Sequence, residues 1–484
     1  MNIIILGGGQ VGSTVAEILS GENNDVTVVD RDETKLKEIQ KHLDVRTITG
    51  HAAWPKTLFD AGAQDADILI AVTGSDETNL IACQVAHTIF TTPTRIARVR
   101  SGEYFKNPLK DDAKDQPDPQ NGETKSDLFV KNALPVDLVI SPEKLVTDSI
   151  ERLIETPGAL QVLDFAHGRV RLVGVKAYTG GPLVGHALRE LPRHVKEGEA
   201  RVAAIFRGRR TIIPEGDTVI EDNDEVFFVA EKKHIRKFMD ELRKRDSPVE
   251  RVILAGGGKI GRGLATRLAD RIGKVRLIEC NIEAANRLSE ELDRKILVIH
   301  GDAADETLLR EEGIDRTDVF CAVTNDDQVN ILSAMVAKRM GARRVMALIN
   351  RPAFVNLVHD EAFDIDIAIS PQQITVGSLL AKVRRGEVEA VHSLRRGAAE
   401  AIEAVAHSNH GTSKVVGRRV EDIDLPPGTT IDALVRKRED EDDEVIIAHH
   451  DTVIEDGDHV ILFMTEKERV SEVGRLFQKD PLSL

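Results

Sequence analysis

The chain has only three cysteines in 484 residues, Cys83, Cys280 and Cys321. They are scattered without a CxxC pair, and each lies in or beside an apolar run. That placement suits buried, reduced thiols and offers no framework for a disulfide or a zinc site. No stretch approaches the ~18–20 consecutive apolar residues that a membrane-spanning helix needs. The apolar start, Ile3-Ile4-Ile5-Leu6, runs straight into glycines. It lacks the basic start and long apolar region of a signal peptide, so a cytosolic location is expected. Positive charge is also short. Lys and Arg number 65 against 81 Asp and Glu, a net charge of −16. A general DNA or RNA binder needs clustered cations for phosphate contact, so nucleic acid is not an expected partner.

Catalytic signatures are missing as well. There is no HxxxH, no GxSxG and no nucleophile with a placed base. His407-Ser408-Asn409-His410 and His449-His450 lie in polar, turn-like stretches, where solvated imidazoles are expected rather than metal ligands.

What the chain does contain is itself, twice. The segment IIILGGGQVG (3–12) returns ~250 residues later as VILAGGGKIG (252–261). VTVVD (26–30) matches VRLIE (275–279), and ILIAVTGSDETN (68–79) matches DVFCAVTNDDQVN (318–330). DLVISPEKL (137–145) matches DIAISPQQI (366–374), and DTVIEDND (217–224) matches DTVIEDGD (451–458). The spacing falls by about 20 residues between Arg100 and Asp137, which places an insertion in the first copy. Residues 106–127 there are rich in Pro, Asp, Lys and Asn and nearly devoid of apolar residues. They read as a disordered surface insertion.

Each copy divides again. Short Val/Ile-rich strands alternate with helical stretches in the first part, the pattern of a parallel sheet with helices on both faces. A strand-rich segment with Gly and Pro turns follows. The fold class is therefore α/β: two doubly wound, Rossmann-like parallel-sheet domains, each followed by a small α+β domain. The expected limits are 1–141 and 142–235 for the first copy. They are 236–370, with a linker, and 371–484 for the second. The segment 142–156 is helical in pattern and reads as a connector.

Gly7-Gly8-Gly9-Gln10-Val11-Gly12 follows a strand and opens a helix. Glycines let the backbone turn tightly and approach a pyrophosphate, and the helix start offers free N–H groups. Asp30, ending the second strand, suits the adenosine ribose hydroxyls and repels a 2′-phosphate, favouring NAD over NADP. The adjacent Arg31 softens that exclusion. Gly256-Gly257-Gly258-Lys259-Ile260-Gly261 and Glu279 repeat the arrangement. The alternative in both copies is a Rossmann-like fold kept for architecture with an empty site. Thr73-Gly74 and Thr324-Asn325 end the fourth strands, at the edge where such sheets bind ligands. Asp76, Glu77, Asp326 and Asp327 then stabilise the next helix start. Arg98 suits either a phosphate or a surface ion pair. The second copy has Asn325 in place of Gly74 and Leu348 in place of Arg98.

The combined pattern resembles the TrkA family of bacterial potassium-uptake regulators. The residues that carry it are GGGQVG (7–12), DVTVVDRD (25–32), LIAVTGSDETN (69–79), TPTRIARVRSGEY (92–104) and the DTVIEDND/DTVIEDGD pair. The resemblance covers nearly the whole chain; the insertion at 106–127 is unusual for the family. It implies a regulatory subunit and not an enzyme, peripheral on the cytoplasmic face of the inner membrane. It implies RCK/KTN-type domains binding NAD(H), with ATP or ADP as further ligands. It also implies a homo-oligomeric ring of two or four chains beneath a TrkH-type transmembrane potassium-translocating subunit. By position, the nucleotide contacts are Gly7 to Val11, Asp30, Thr73, Gly74 and Arg98, then Gly256 to Ile260 and Glu279. The two nucleotide domains of one chain are expected to pair through their sheet flanks. Two rival readings remain open on the residues alone. One is an NAD-dependent oxidoreductase, which lacks its acid/base group here. The other is a regulator of a different ion channel or transporter.

Overall fold

The computed structural model describes residues 1–105, 134–191, 199–358, 363–383, 388–408 and 414–477, apart from 23, 209, 245, 396, 397, 439–442, 467 and 468. The insertion expected at 106–127 lies outside the described residues.

Strands that are apolar on both faces belong inside a parallel sheet covered by helices. Ile3–Leu6, Val28–Val29 and Ile68–Ala71 are buried without polar alternation. They belong to β1 (Asn2–Leu6), β2 (Asp25–Asp30) and β4 (Ile68–Ala71), which join β3 (Arg46–Thr49), β5 (Thr94–Arg98) and β6 (Leu138–Ile140). The sheet is parallel, in the order β3-β2-β1-β4-β5-β6. Strand order reverses between β1 and β4, and the glycine loop follows β1 at that crevice.

An antiparallel sheet comes next, from β7 (Ala159–Phe165), β8 (Val170–Lys176), β9 (Ala200–Arg207), β10 (Arg210–Ile212) and β11 (Glu225–Glu231). The second copy repeats both sheets. β12 (Arg251–Ala255), β13 (Lys274–Glu279), β14 (Ile296–His300), β15 (Val319–Ala322), β16 (Arg344–Leu348) and β17 (Ile367–Ile369) take the order β14-β13-β12-β15-β16-β17. β18 (Val388–Leu394), β19 (Ala399–Val405), β20 (Thr429–Arg436), β21 (Glu444–Ile447) and β22 (His459–Met464) take the order β18-β19-β22-β20-β21. Among the described residues no helix is long and apolar enough to cross a membrane.

The halves are joined by exchange. The connector helix Pro142–Glu155 carries Val146, Ile150, Leu153 and Ile154 on one face. That stripe packs with Leu254, Leu264, Leu268 and Leu277 of the second nucleotide domain. The matching helix Pro371–Val383 inserts Val376, Leu379, Leu380 and Val383 among Ile3, Ile5, Val15, Leu19 and Val28 of the first. Each connector thus completes the other copy's core. The contact between nucleotide domains therefore runs through exchanged helices rather than sheet flanks. Burying a Leu or Ile side chain is worth about 1.5–3 kcal/mol, so neither half covers its core alone. Ion pairs line the seam: Arg267 with Asp148 and Glu151, and Arg271 with Glu151 and Glu155.

The two small sheets also face each other. Phe165, Leu172, Phe206 and Phe227 share a core with Leu394, Ala401, Val435, Ile461 and Phe463. Polar groups fix the register: Arg201 pairs with Asp432 at 3.1 Å and Arg395 with Glu225 at 3.0 Å. Buried Glu403 accepts from His459 Nδ1 at 2.7 Å and from Ala166 N–H, on the other small domain, at 3.0 Å. Burial pushes Glu403 up, but its bonds from His459 and Ala166 outweigh this and hold it below its ordinary 4.5. The hydrogen bond to Glu403 raises His459 above 6.5 despite burial. Glu403 therefore stabilises above its ordinary pKa. His459 contributes fully below 6.5 and stops contributing as the pH rises through its raised value. Thermal unfolding measured from pH 6 to 9 should show stability falling through that window. The fall should be weaker in His459→Gln; an identical profile would remove the pair from this account.

Candidate nucleotide-binding site

The first glycine loop is shaped by contacts that only glycine permits. Gly7 sits at φ +111°, packed on the backbone of Val72 and Thr73. A Cβ on Gly12 would collide with the Gly7 carbonyl. A Cβ on Gly9 would meet nothing within 4 Å, so the loop's outer side is open. The helix Gln10–Gly21 starts there with Gly9 as its N-cap and no side chain on its free N–H groups. The result is an anion cradle with an open mouth.

Asp30 lies beside this cradle. One carboxylate oxygen accepts Gly8 N–H at 2.7 Å and the other accepts Asp32 N–H at 2.9 Å. It ties the end of β2 to the loop and presents its remaining lone pairs at the rim. A cleft of about 810 Å³ opens along one flank, between the loop and the helix Glu33–His42. Gly8, Gly9 and Gln10 line its inner end, with Lys35 and His42 on the wall.

Thr73 and Arg98 stand on the other flank. Arg98 Nη2 donates to the Thr73 carbonyl at 2.6 Å. Its Nε is buried with no partner, and burial pulls its pKa down to about 10. Among the described residues no carboxylate lies within ion-pair distance of it. Of its two sequence readings, the surface ion pair is not what the structure shows. A buried guanidinium nitrogen without a partner is a costly arrangement. Gly74 has open space where a Cβ would point.

Asn79 was not singled out from the sequence, yet it organises this flank. It is fully buried. Its Oδ1 accepts from Thr73 N–H at 2.9 Å and Thr73 Oγ1 at 2.7 Å. Its Nδ2 donates to the Thr73 and Arg98 carbonyls. Asn330 repeats the pattern with Thr324 and Leu348. The shared asparagine closing the SDETN and NDDQVN segments was the available signal. The acids before it also do more than favour a helix start. Asp76 accepts from Arg100 and Ser101 N–H, and Asp327 from Asn350 and Arg351 N–H, fixing the loop after the fifth strand in each copy.

The second loop is the first one redrawn. Gly256 has φ +108°, a Cβ on Gly261 would strike the Gly256 carbonyl, and Gly258 faces open space. Glu279 accepts Gly257 N–H at 2.8 Å. Leu348 puts an apolar side chain where Arg98 stands, so this copy lacks that cation. Lys259 supplies charge from the loop itself, and its Nζ reaches the Arg100 carbonyl of the first domain at 3.4 Å. In turn, Gln372 of the second connector donates to Gln10 O at 3.2 Å and Thr14 Oγ1 at 2.7 Å. Each glycine loop thus touches the opposite half. Of the cysteines, Cys83 and Cys321 are buried as expected. Cys280 is exposed, because it follows Glu279 just beyond the end of β13.

Comparison with known proteins agrees with this layout. Residues 3–114 and 252–371 match the TrkA-N domain, and residues 172–243 and 411–478 match the TrkA-C domain. The chain belongs to the TrkA family. It is 55% identical over 478 residues to the Trk system potassium uptake protein TrkA of Halomonas elongata, covering 99% of both chains. It is 55% identical over 484 residues to that of Vibrio alginolyticus, covering 100% of both. Among solved structures, the GsuK RCK domain superposes with a TM-score of 0.58 at 18% identity, over 98% of this chain and 94% of that one. That likeness shows that the fold is shared with RCK domains.

Removing the asparagine hub strands several buried polar groups at once, each costing about 1–3 kcal/mol. Asn79→Ala is therefore expected to destabilise the first nucleotide domain by about 2–4 kcal/mol, measured as a lower unfolding temperature. Asn330→Ala should do the same in the second; unchanged melting in both would deny them this role.

Proposed function

We propose that the chain is the nucleotide-sensing regulatory subunit of a Trk-type potassium uptake system. It lies on the cytoplasmic face of the inner membrane and controls a separate TrkH-type translocating subunit. It does so as a ring of two or four chains and performs no catalysis of its own. Family membership supports the potassium-uptake role, since the relatives carry the name Trk system potassium uptake protein. A superposable GsuK channel, at 17% identity and a TM-score of 0.58, is described as bound to NAD.

The observation that carries the ligand reading is Arg98: a half-buried guanidinium with an unpartnered, buried Nε and, among the described residues, no carboxylate within ion-pair distance, beside a glycine cradle and the Asp30 carboxylate. The ligand class is NAD(H), with ATP and ADP as competitors that differ in phosphate number and charge. Gly7 to Gly12 would take the phosphates with Thr73, Gly74 and Arg98, and Asp30 the ribose. Gly256 to Gly261 and Glu279 form a related, weaker site. A ligand shifts a conformational equilibrium only through different affinities for its states. Because Gln372 of the opposite half rests on Gln10 and Thr14, filling the cradle acts directly on the contact between halves.

Calorimetric titration of NAD, NADH, ATP and ADP tests this. Binding is expected, with Asp30→Ala and Glu279→Ala each removing one site per chain. Arg98→Ala should weaken the first site by about 10- to 100-fold, the equivalent of one charge-assisted bond of roughly 1.5–3 kcal/mol. If none of the four binds or changes the melting temperature, the ligand reading is wrong. Co-purification with a polytopic potassium-translocating protein tests the partner.

A further inference from the structure

Trp54 is the only tryptophan in the chain. It is 61% exposed, at the N-cap of the helix Pro55–Asp60. Its indole stacks on the His51 ring, with centroids 5.3 Å apart and planes 21° from parallel. The imidazole is itself oriented by Ala53 N–H, which donates to His51 Nδ1 at 3.3 Å. A large aromatic surface turned to solvent and already half of a stack is an unusual use of this residue type.

Its place in the fold suggests why. Gly50 N–H donates to the Asp30 carbonyl at 2.9 Å, so the loop 50–54 leaves β3 directly beside the ribose-side acid. Gly50 admits no Cβ because Thr57 fills that space, which keeps the loop close to the helix that follows. An adenosine with its ribose on Asp30 and its phosphates on the glycine loop directs its base away from the phosphates, beyond the ends of β2 and β3. The loop that carries the two rings leaves the sheet at that end, one residue after the Gly50 bond to Asp30.

We infer that His51 and Trp54 form an aromatic platform on which the adenine of a nucleotide held by the first glycine loop stacks. This rests on the nucleotide reading above and adds to it the group that recognises the base. Stacking needs only a flat π-face, so the platform raises affinity for purines without reading their edges. The second copy has no such surface. Asp302 and Asp305 occupy the corresponding positions, and both carboxylates are used locally. Asp302 accepts from Ala304 N–H, and Asp305 caps the helix Glu306–Glu311. The halves therefore differ in base recognition as well as in Arg98, and both differences favour adenine nucleotides in the first.

The lone indole makes the test specific, since its emission reports on the first half only. The unaltered chain is titrated with ADP, which has a base, and with inorganic tripolyphosphate, which has none. ADP is expected to change the emission saturably, with the midpoint seen by calorimetry; tripolyphosphate should leave it unchanged. In a Glu279→Ala background, Trp54→Ala should weaken ADP by roughly 5- to 50-fold and spare tripolyphosphate, and Trp54→Phe should restore most of the loss. If ADP binds by calorimetry while emission and Trp54→Ala affinity stay unchanged, the platform is refuted. Emission that responds to protein concentration and not to ADP refutes it too, and assigns the indole to a contact between chains. Absence of any ADP binding to the unaltered chain refutes the nucleotide reading itself, and the platform with it.

Discussion

The exchange of connector helices is the constraint on which the other features depend. Apolar stripes on Pro142–Glu155 and Pro371–Val383 each complete a core belonging to the opposite copy. A domain built this way cannot separate from its twin without exposing both stripes. The exchange also brings Gln372 onto the first glycine loop and Lys259 onto the first domain's Arg100. The proposed ligand site and the contact between halves therefore share atoms. In the proposed role the chain needs no long-range relay between its sites, because the same loops would serve both purposes.

The two copies present cradles alike in backbone and unequal in side chains. Both copies keep the positive-φ glycine, the carboxylate on the second loop N–H and the asparagine hub. Those groups hold backbone geometry: a side chain on the glycine would be strained against the fourth-strand loop, and losing the carboxylate or the asparagine strands backbone N–H groups. Arg98 and Leu348 differ freely because the hub binds only their carbonyls. The side chain at that position is thus available for function. The first copy spends it on a half-buried cation, the second on a buried leucine that carries no electrostatic cost.

Much of this was legible in the residues. The glycine runs, the acids ending the second strands and the doubly wound strand order follow from local chemistry and from the repeat. What was not legible has a common cause: it depends on contacts far apart in the chain. Residues 142–156 read as a helix, but no local feature says which sheet that helix covers, since its stripe would fit either copy. Asn79 reads as an ordinary helix residue until the Thr73 and Arg98 carbonyls are seen to converge on it. His459 gains its role from Glu403 and from Ala166 on another domain. Cys280 was expected to be buried from its apolar neighbours, but the strand ends before it, and residues past a strand end face the crevice.

The asymmetry also bears on how a ring of such chains would switch. Moving a two-state equilibrium from 1:99 to 99:1 takes about 5.5 kcal/mol of differential binding. One charge-assisted bond to Arg98 is worth roughly 1.5–3 kcal/mol, and a helix N-terminus adds about 0.3–1 kcal/mol. Even if both were realised in one state only, these two contributions, roughly 2–4 kcal/mol together, fall short of a full shift. Two such sites acting on one shared conformation supply roughly 4–8 kcal/mol, a range that spans the full shift. Coupling two chains to one conformation thus strengthens the proposed switch, and the larger share falls on the first halves. The second halves, without an Arg98 equivalent, then serve chiefly to hold the exchanged helix and to feel the shift.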